Sequence, residues 1–122
     1  MAIQPPFNLN QWLSANRDTL KPPVGNKNLY KEAGAYIVMV VAGPNARKDY
    51  HYNETEELFY QLEGTIEIYI QAAGKRKKLA MGPGDMYLGW ASSDKETICR
   101  SMIVYYGSAI IVIINCTKPI SP

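Results

Sequence analysis

The sequence predicts an all-β fold, an antiparallel barrel or sandwich with one short helix at its start. Three observations point there: many short apolar segments, Gly/Pro/Asp turns between them, and a single stretch of helical period near the N-terminus. The helix is expected from about Leu9 to Leu20, with Asn8 or Asn10 as its cap and Leu9, Trp12 and Leu13 as one apolar stripe. "KPPVGNK" ends it, because Pro22 and Pro23 cannot continue a helix and Gly25 frees the backbone to turn.

From Ala35 the period changes. "AYIVMVVAG" is β-branched and continuously apolar, the pattern of a strand buried on both faces. Leu58 to Leu62 reads as a further strand, with Glu63-Gly64 as a turn. "TIEIYIQ" alternates Ile66, Ile68 and Ile70 against Thr65, Glu67, Tyr69 and Gln71, as a half-buried strand does. The Lys75-Arg76-Lys77-Lys78 run beside Gly74 reads as a solvated hairpin end. Leu79 to Met81 is brief, "GPGD" is a tight turn, and Met86-Tyr87-Leu88 follows. Ile103 to Tyr106 and Ser108 to Ile114 are the last strands. The stretch "AIIVII" (109–114) carries no charge and would aggregate unless the barrel or a second subunit covers both its faces.

A chain of 122 residues holds one domain: helix and loop over 1–34, barrel over 35–114 and a tail over 115–122. A formal charge of +2 is too small to argue for nucleic acid or an anionic membrane. Cys99 and Cys116 lie in no metal-binding spacing, and two cysteines make no disulfide framework, so a reducing cytoplasm is the expectation. "MAIQPPFNLN" lacks the basic and apolar segments of a signal peptide, and no apolar run is long enough to span a bilayer.

The chemistry-bearing stretch is "DYHYNETEELFYQLEG" (49–64), which contains His51, the only histidine of the chain. Residues two apart on a strand share a face, so positions 51 and 53 would point together into a barrel. A turn through Glu54 and Thr55 would bring Glu57 back towards the same centre. Imidazole and carboxylate are two ligands of the kind that hold non-heme Fe(II) with positions left open. Alone, His51 would be an ordinary surface or core histidine and Glu57 a solvated charge beside Glu54 and Glu56.

Gly43, His51, Asn53, Glu57 and Gly64 reproduce the first cupin motif, with Asn53 in place of its second histidine. The resemblance implies a cupin double-stranded β-helix. It narrows with "KPPVGNK", "IVMVVAGPNARKDYH" and "TEELFYQLEG", which over about residues 6–88 resemble the 3-hydroxyanthranilate 3,4-dioxygenase family. That likeness implies an Fe(II) enzyme that opens its aminophenol substrate, 3-hydroxyanthranilate, with O2 in tryptophan catabolism through the kynurenine pathway. The product closes to quinolinate, a precursor of NAD. It further implies His51 and Glu57 as iron ligands, Arg47 beside the O2 and substrate position, Val24 and Asn26 lining the pocket, and a homodimer. Glu57 would then both ligate iron and accept from the substrate, while Arg47 offers a fork of donors. A family that does not use position 53 as a ligand loses nothing by Asn53.

Beyond Leu88 the match stops abruptly. The second cupin motif would begin at Gly84 and place a proline at 90, a glycine at 92 and the third ligand, a histidine, at 95; this chain has Trp90, Ser92 and Lys95. Cys99 stands where the family has an arginine for the substrate carboxylate, and Ile110 where it has a glutamate. Lysine is protonated near neutral pH and repels a dication. Asp94, Glu96 or Cys99 could supply the third donor if their loop turned inward. Two readings therefore stay open: a dioxygenase impaired at its third ligand, and a non-catalytic cupin acting as a binding module or without activity.

Overall fold

The computed structural model describes residues 5–20, 26–30, 34, 36–43, 45–46, 51–52, 55–72, 74–89 and 100–116, with backbone alone at 45–46, 51–52, 100, 107 and 116. Helix α1 spans Leu9–Asn16 and runs into a 3-10 turn, Arg17–Thr19. Asn8 is the cap, its side-chain oxygen accepting from the Gln11 amide at 2.9 Å. Eight strands follow: β1 (Asn26–Asn28), β2 (Tyr36–Ala42), β3 (Asn45–Ala46), β4 (His51–Tyr52), β5 (Glu57–Ala72), β6 (Lys75–Met81), β7 (Met86–Gly89) and β8 (Arg100–Cys116). All pairs are antiparallel, in the order β1-β2-β8-β5-β6, with β3 and β4 also on β8 and β7 on β5. No helix among the described residues is long and apolar enough to cross a membrane.

Two expectations change. The turn expected at Glu63-Gly64 is absent, and β5 runs unbroken for 16 residues. Its register slips between Gln61 and Glu63 and again between Glu63 and Thr65, so the chain bulges where a turn was expected. The Gln61 amide makes the passage possible, donating to the carbonyls of Glu63 at 2.7 Å and Gly64 at 3.1 Å. The last two strand candidates are likewise one strand of 17 residues, β8, paired with β5 over almost its whole length.

That pairing forces the fold to curl. Tyr52 lies opposite Arg100 at one end of β8, while Glu57 lies opposite Asn115 at the other. A straight strand would separate Arg100 from Asn115 by about 50 Å, yet five peptide steps from Tyr52 to Glu57 reach at most about 19 Å. The β5–β8 ribbon must therefore bend until its ends converge, as in a barrel. One interior cluster agrees: Phe59 from the first half of β5 packs with Ile66 and Ile68 from its second half, and with Val41, Met81, Tyr105, Ile111 and Ile113. The alternation read in "TIEIYIQ" holds, with Ile66 and Ile68 fully buried.

The outer face of β2 and β8 is covered as well. Leu13 and Leu20 pack on Val40, Ala42, Ile110 and Val112, with Leu9 and Trp12 beside them. Both faces of "AIIVII" are thus buried within this chain, the inner by the barrel and the outer by α1. Arg17 fastens the helix end to the bulge through paired hydrogen bonds of 2.5 and 2.8 Å to Glu63. The basic run 75–78 is exposed as expected, but forms part of β6.

Candidate functional site

The convergence of the two ends of β8 builds the site. Glu57 opens β5 between Gly89 of β7 and Asn115 of β8, and Asn115 pairs in turn with Ile37 of β2. Glu57 shares its face with Phe59, which is buried in the interior cluster, so its carboxylate belongs to the inner side of the barrel. It is half-buried, and the loss of water pushes its pKa above the ordinary carboxylate value. Asn115 Nδ2 donates to Glu57 Oε1 at 3.2 Å, and Thr55 Oγ1 donates to Asn115 Oδ1 at 2.9 Å. Below this row the walls are apolar: Phe59 stacks on Tyr87 with ring centroids 6.0 Å apart, and Met39 and Ile113 lie alongside. Opposite Glu57, Gly89 carries no side chain; a β-carbon there would lie 3.4 Å from the Phe59 ring and 3.5 Å from that of Tyr87.

The other expected residues lie as follows. The backbone of His51 pairs with Ser101 at the opposite end of β8, a position in the same alternation as the interior residues Ile103 and Tyr105. Six peptide steps hold its α-carbon within about 23 Å of that of Glu57. Asn26 opens β1, exposed and opposite Val41, with β2 and β8 between it and β5. Val24, Arg47, Asn53, Lys95 and the alternative donors Asp94, Glu96 and Cys99 lie outside the described residues. Among the described residues no three His, Cys, Asp or Glu side chains come together as a metal-holding group. Ile110, the position at which the resemblance sets a glutamate, is buried on the outer face against α1.

Asn115 and Thr55 were not singled out in the sequence. The available signal was a lone amide in an apolar run: Asn115 follows Ile111 and Ile113 in steps of two and so shares their inward face.

The family model of 3-hydroxyanthranilic acid dioxygenase matches residues 1–102. This chain belongs to that family. The match extends 14 residues past Leu88, where the resemblance read from the sequence stops, and so includes the region of Lys95. The 3-hydroxyanthranilate 3,4-dioxygenase of Xanthomonas euvesicatoria pv. vesicatoria (strain 85-10) is 45% identical over 84 residues, which are 69% of this chain and 47% of that protein. The chain therefore spans about half the length of the curated relatives it matches. Among solved structures, a cupin-2 domain containing protein from Shewanella frigidimarina NCIMB 400 superposes with a TM-score of 0.64 at 18% identity, covering 90% of this chain and 93% of the other. Streptomyces albus HEPD, solved with 2-hydroxyethylphosphonate and Fe(II) bound, gives 0.59 at 12% identity over 72% of this chain and 19% of the other. These likenesses establish the fold of this family member as that of the cupins.

Proposed function

We propose that the chain carries the ring-cleaving chemistry of its family, acting on 3-hydroxyanthranilate with O2, in a form weakened at the metal. The observation that carries this reading is Glu57: an interior carboxylate, short of water and held by an amide donor at the convergence of the barrel strands. A desolvated anion of this kind suits a divalent cation, which replaces the lost hydration. Glu57 and His51 fit two positions of an Fe(II) ligand set. Lys95, standing at the third position, does not.

Bound Fe(II) would supply open positions for the substrate oxygen and O2 and a path for electrons between them. The chain's own residues would do the rest. Glu57 takes the hydrogen bond of the substrate's amino or hydroxyl group through its carboxylate. Arg47 offers a planar fork of donors to the substrate carboxylate or a partly reduced oxygen. By the family resemblance Val24 and Asn26 would line the pocket, and the wall formed by Phe59 and Tyr87 would exclude water from the ring.

Lys95 favours the second reading, a cupin of this family that binds without turning over. Anaerobic calorimetry with Fe(II) separates the two, with Glu57→Ala as control. Micromolar stoichiometric binding that the control loses, followed by O2 uptake with 3-hydroxyanthranilate, supports the enzyme. Wild-type heat no larger than the control's supports the non-catalytic module.

A further inference from the structure

Glu57 is held by a residue that no part of the motif names. Asn115 lies on β8 where that strand is paired on both sides, with Ile37 and with Glu57, so its backbone has little freedom. An amide has one donating and one accepting end, and its neighbours decide which way it points. Here the Thr55 hydroxyl donates to Oδ1 at 2.9 Å, which turns Nδ2 towards Glu57 Oε1 at 3.2 Å. Thr55 precedes Glu57 by two residues, so the same bond ties the approach to β5 back onto β8. A hydrogen bond to an ionised acceptor is stronger than one between neutral groups and fixes its direction.

We propose that Asn115, oriented by Thr55, is a positioning residue that sets the rotamer of the Glu57 carboxylate and so presents its oxygen to the metal. The inference rests on the reading of Glu57 as a ligand. Its physical content is a relay, Thr55 hydroxyl to Asn115 amide to Glu57 carboxylate, built before any ion arrives. Partners of this kind orient metal ligands elsewhere, and their loss lowers affinity by about 10–100-fold.

The test has a metal-free arm and a metal arm, both on the full chain. In the first, the Asn115 side-chain amide is followed by 15N–1H NMR in wild type, Glu57→Ala, Thr55→Val and Thr55→Ser. The relay requires an amide proton displaced from the free-amide position that returns to it in Glu57→Ala and Thr55→Val, while Thr55→Ser keeps it displaced. In the second, anaerobic Fe(II) calorimetry compares wild type with Asn115→Ala, and an affinity about 10–100-fold weaker is expected. Should Asn115→Ala fail to fold, Thr55→Val carries this arm. An amide signal indifferent to Glu57→Ala overturns the inference, as does an Asn115→Ala protein that binds Fe(II) like wild type. If wild type binds no Fe(II) while the amide still answers to Glu57, the metal reading falls and the positioning of Glu57 stands.

Discussion

Gly64 and Ala109 meet with no room for a side chain: a β-carbon on Gly64 would lie 2.7 Å from the Ala109 α-carbon. The contact sits in the bulge where β5 changes register against β8, and Gly64 adopts φ +72° there. Close approach and backbone conformation therefore both select glycine at the bend that lets the ribbon curl.

Gly64→Ala should cost about 1–2 kcal/mol for the left-handed backbone and about 1–3 kcal/mol more for the overlap with Ala109. Gly74 has the same φ, +72°, with nothing within 4 Å of its would-be β-carbon. Gly74→Ala should therefore lose only the first part. Urea denaturation of both variants reads the difference, and equal losses would rule out the close approach as a constraint.

Gln61 is fully buried and its Nε2 serves two bulge carbonyls. Gln61→Leu keeps the volume but leaves those carbonyls without this donor, a loss of about 1–3 kcal/mol. Denaturant titration measures the loss, and hydrogen exchange should rise first around Glu63 and Gly64.

Leu13 is buried against Val40, Ala42, Ile110 and Val112. Leu13→Ala should destabilise the chain by about 2–5 kcal/mol. It should also uncover the outer face of β8, so light scattering should detect association on mild heating before wild type shows any.

Glu67 accepts from the Tyr106 hydroxyl at 2.5 Å and from Tyr69 at 3.1 Å, with Lys78 Nζ 3.3 Å away. The bond from Tyr106 is the main reason that the Glu67 pKa lies below the ordinary carboxylate value, and the same bond pushes Tyr106 up to about 12. A depressed carboxylate stabilises the fold above its unfolded pKa and stops doing so as acid protonates it. A raised tyrosine stabilises below its unfolded pKa, ordinarily 10, and stops doing so as pH climbs through about 12. Tyr106→Phe should accordingly flatten the stability profile at both its acid and its alkaline limits. Ultraviolet titration of tyrosinate should lose the step near 12, and a curve identical to wild type would refute the assignment.

If the weakness of the site lies at position 95, Lys95→His should raise Fe(II) affinity by about 10–100-fold. Anaerobic calorimetry measures this directly. An unchanged affinity would mean that position 95 does not reach the metal position proposed at Glu57.

Much of the local structure was legible because it depends on neighbours in sequence. Asn8 and the stripe of Leu9, Trp12 and Leu13 marked the helix, and Ile66, Ile68 and Ile70 declared their inward face by alternation. His51 and Glu57 were singled out through the motif and the family resemblance, and of the two the structure describes the surroundings of the Glu57 carboxylate. The turn expected at Glu63-Gly64 failed for a specific reason. Glycine permits a turn and a bulge equally, and the choice lay with Ala109 pressing on Gly64 and with the Gln61 amide, contacts made across strands.

By itself, then, the sequence determined the all-β class, the opening helix and the family, all properties of short-range pattern. Only the tertiary structure decided that β5 and β8 each run through the bend, that their ends converge, that Asn115 reaches Glu57 and that Thr55 reaches Asn115. Those contacts join residues about 60 positions apart, and such a distance leaves no period in the sequence. It is set by strand register, and register is fixed when the barrel closes on its apolar interior.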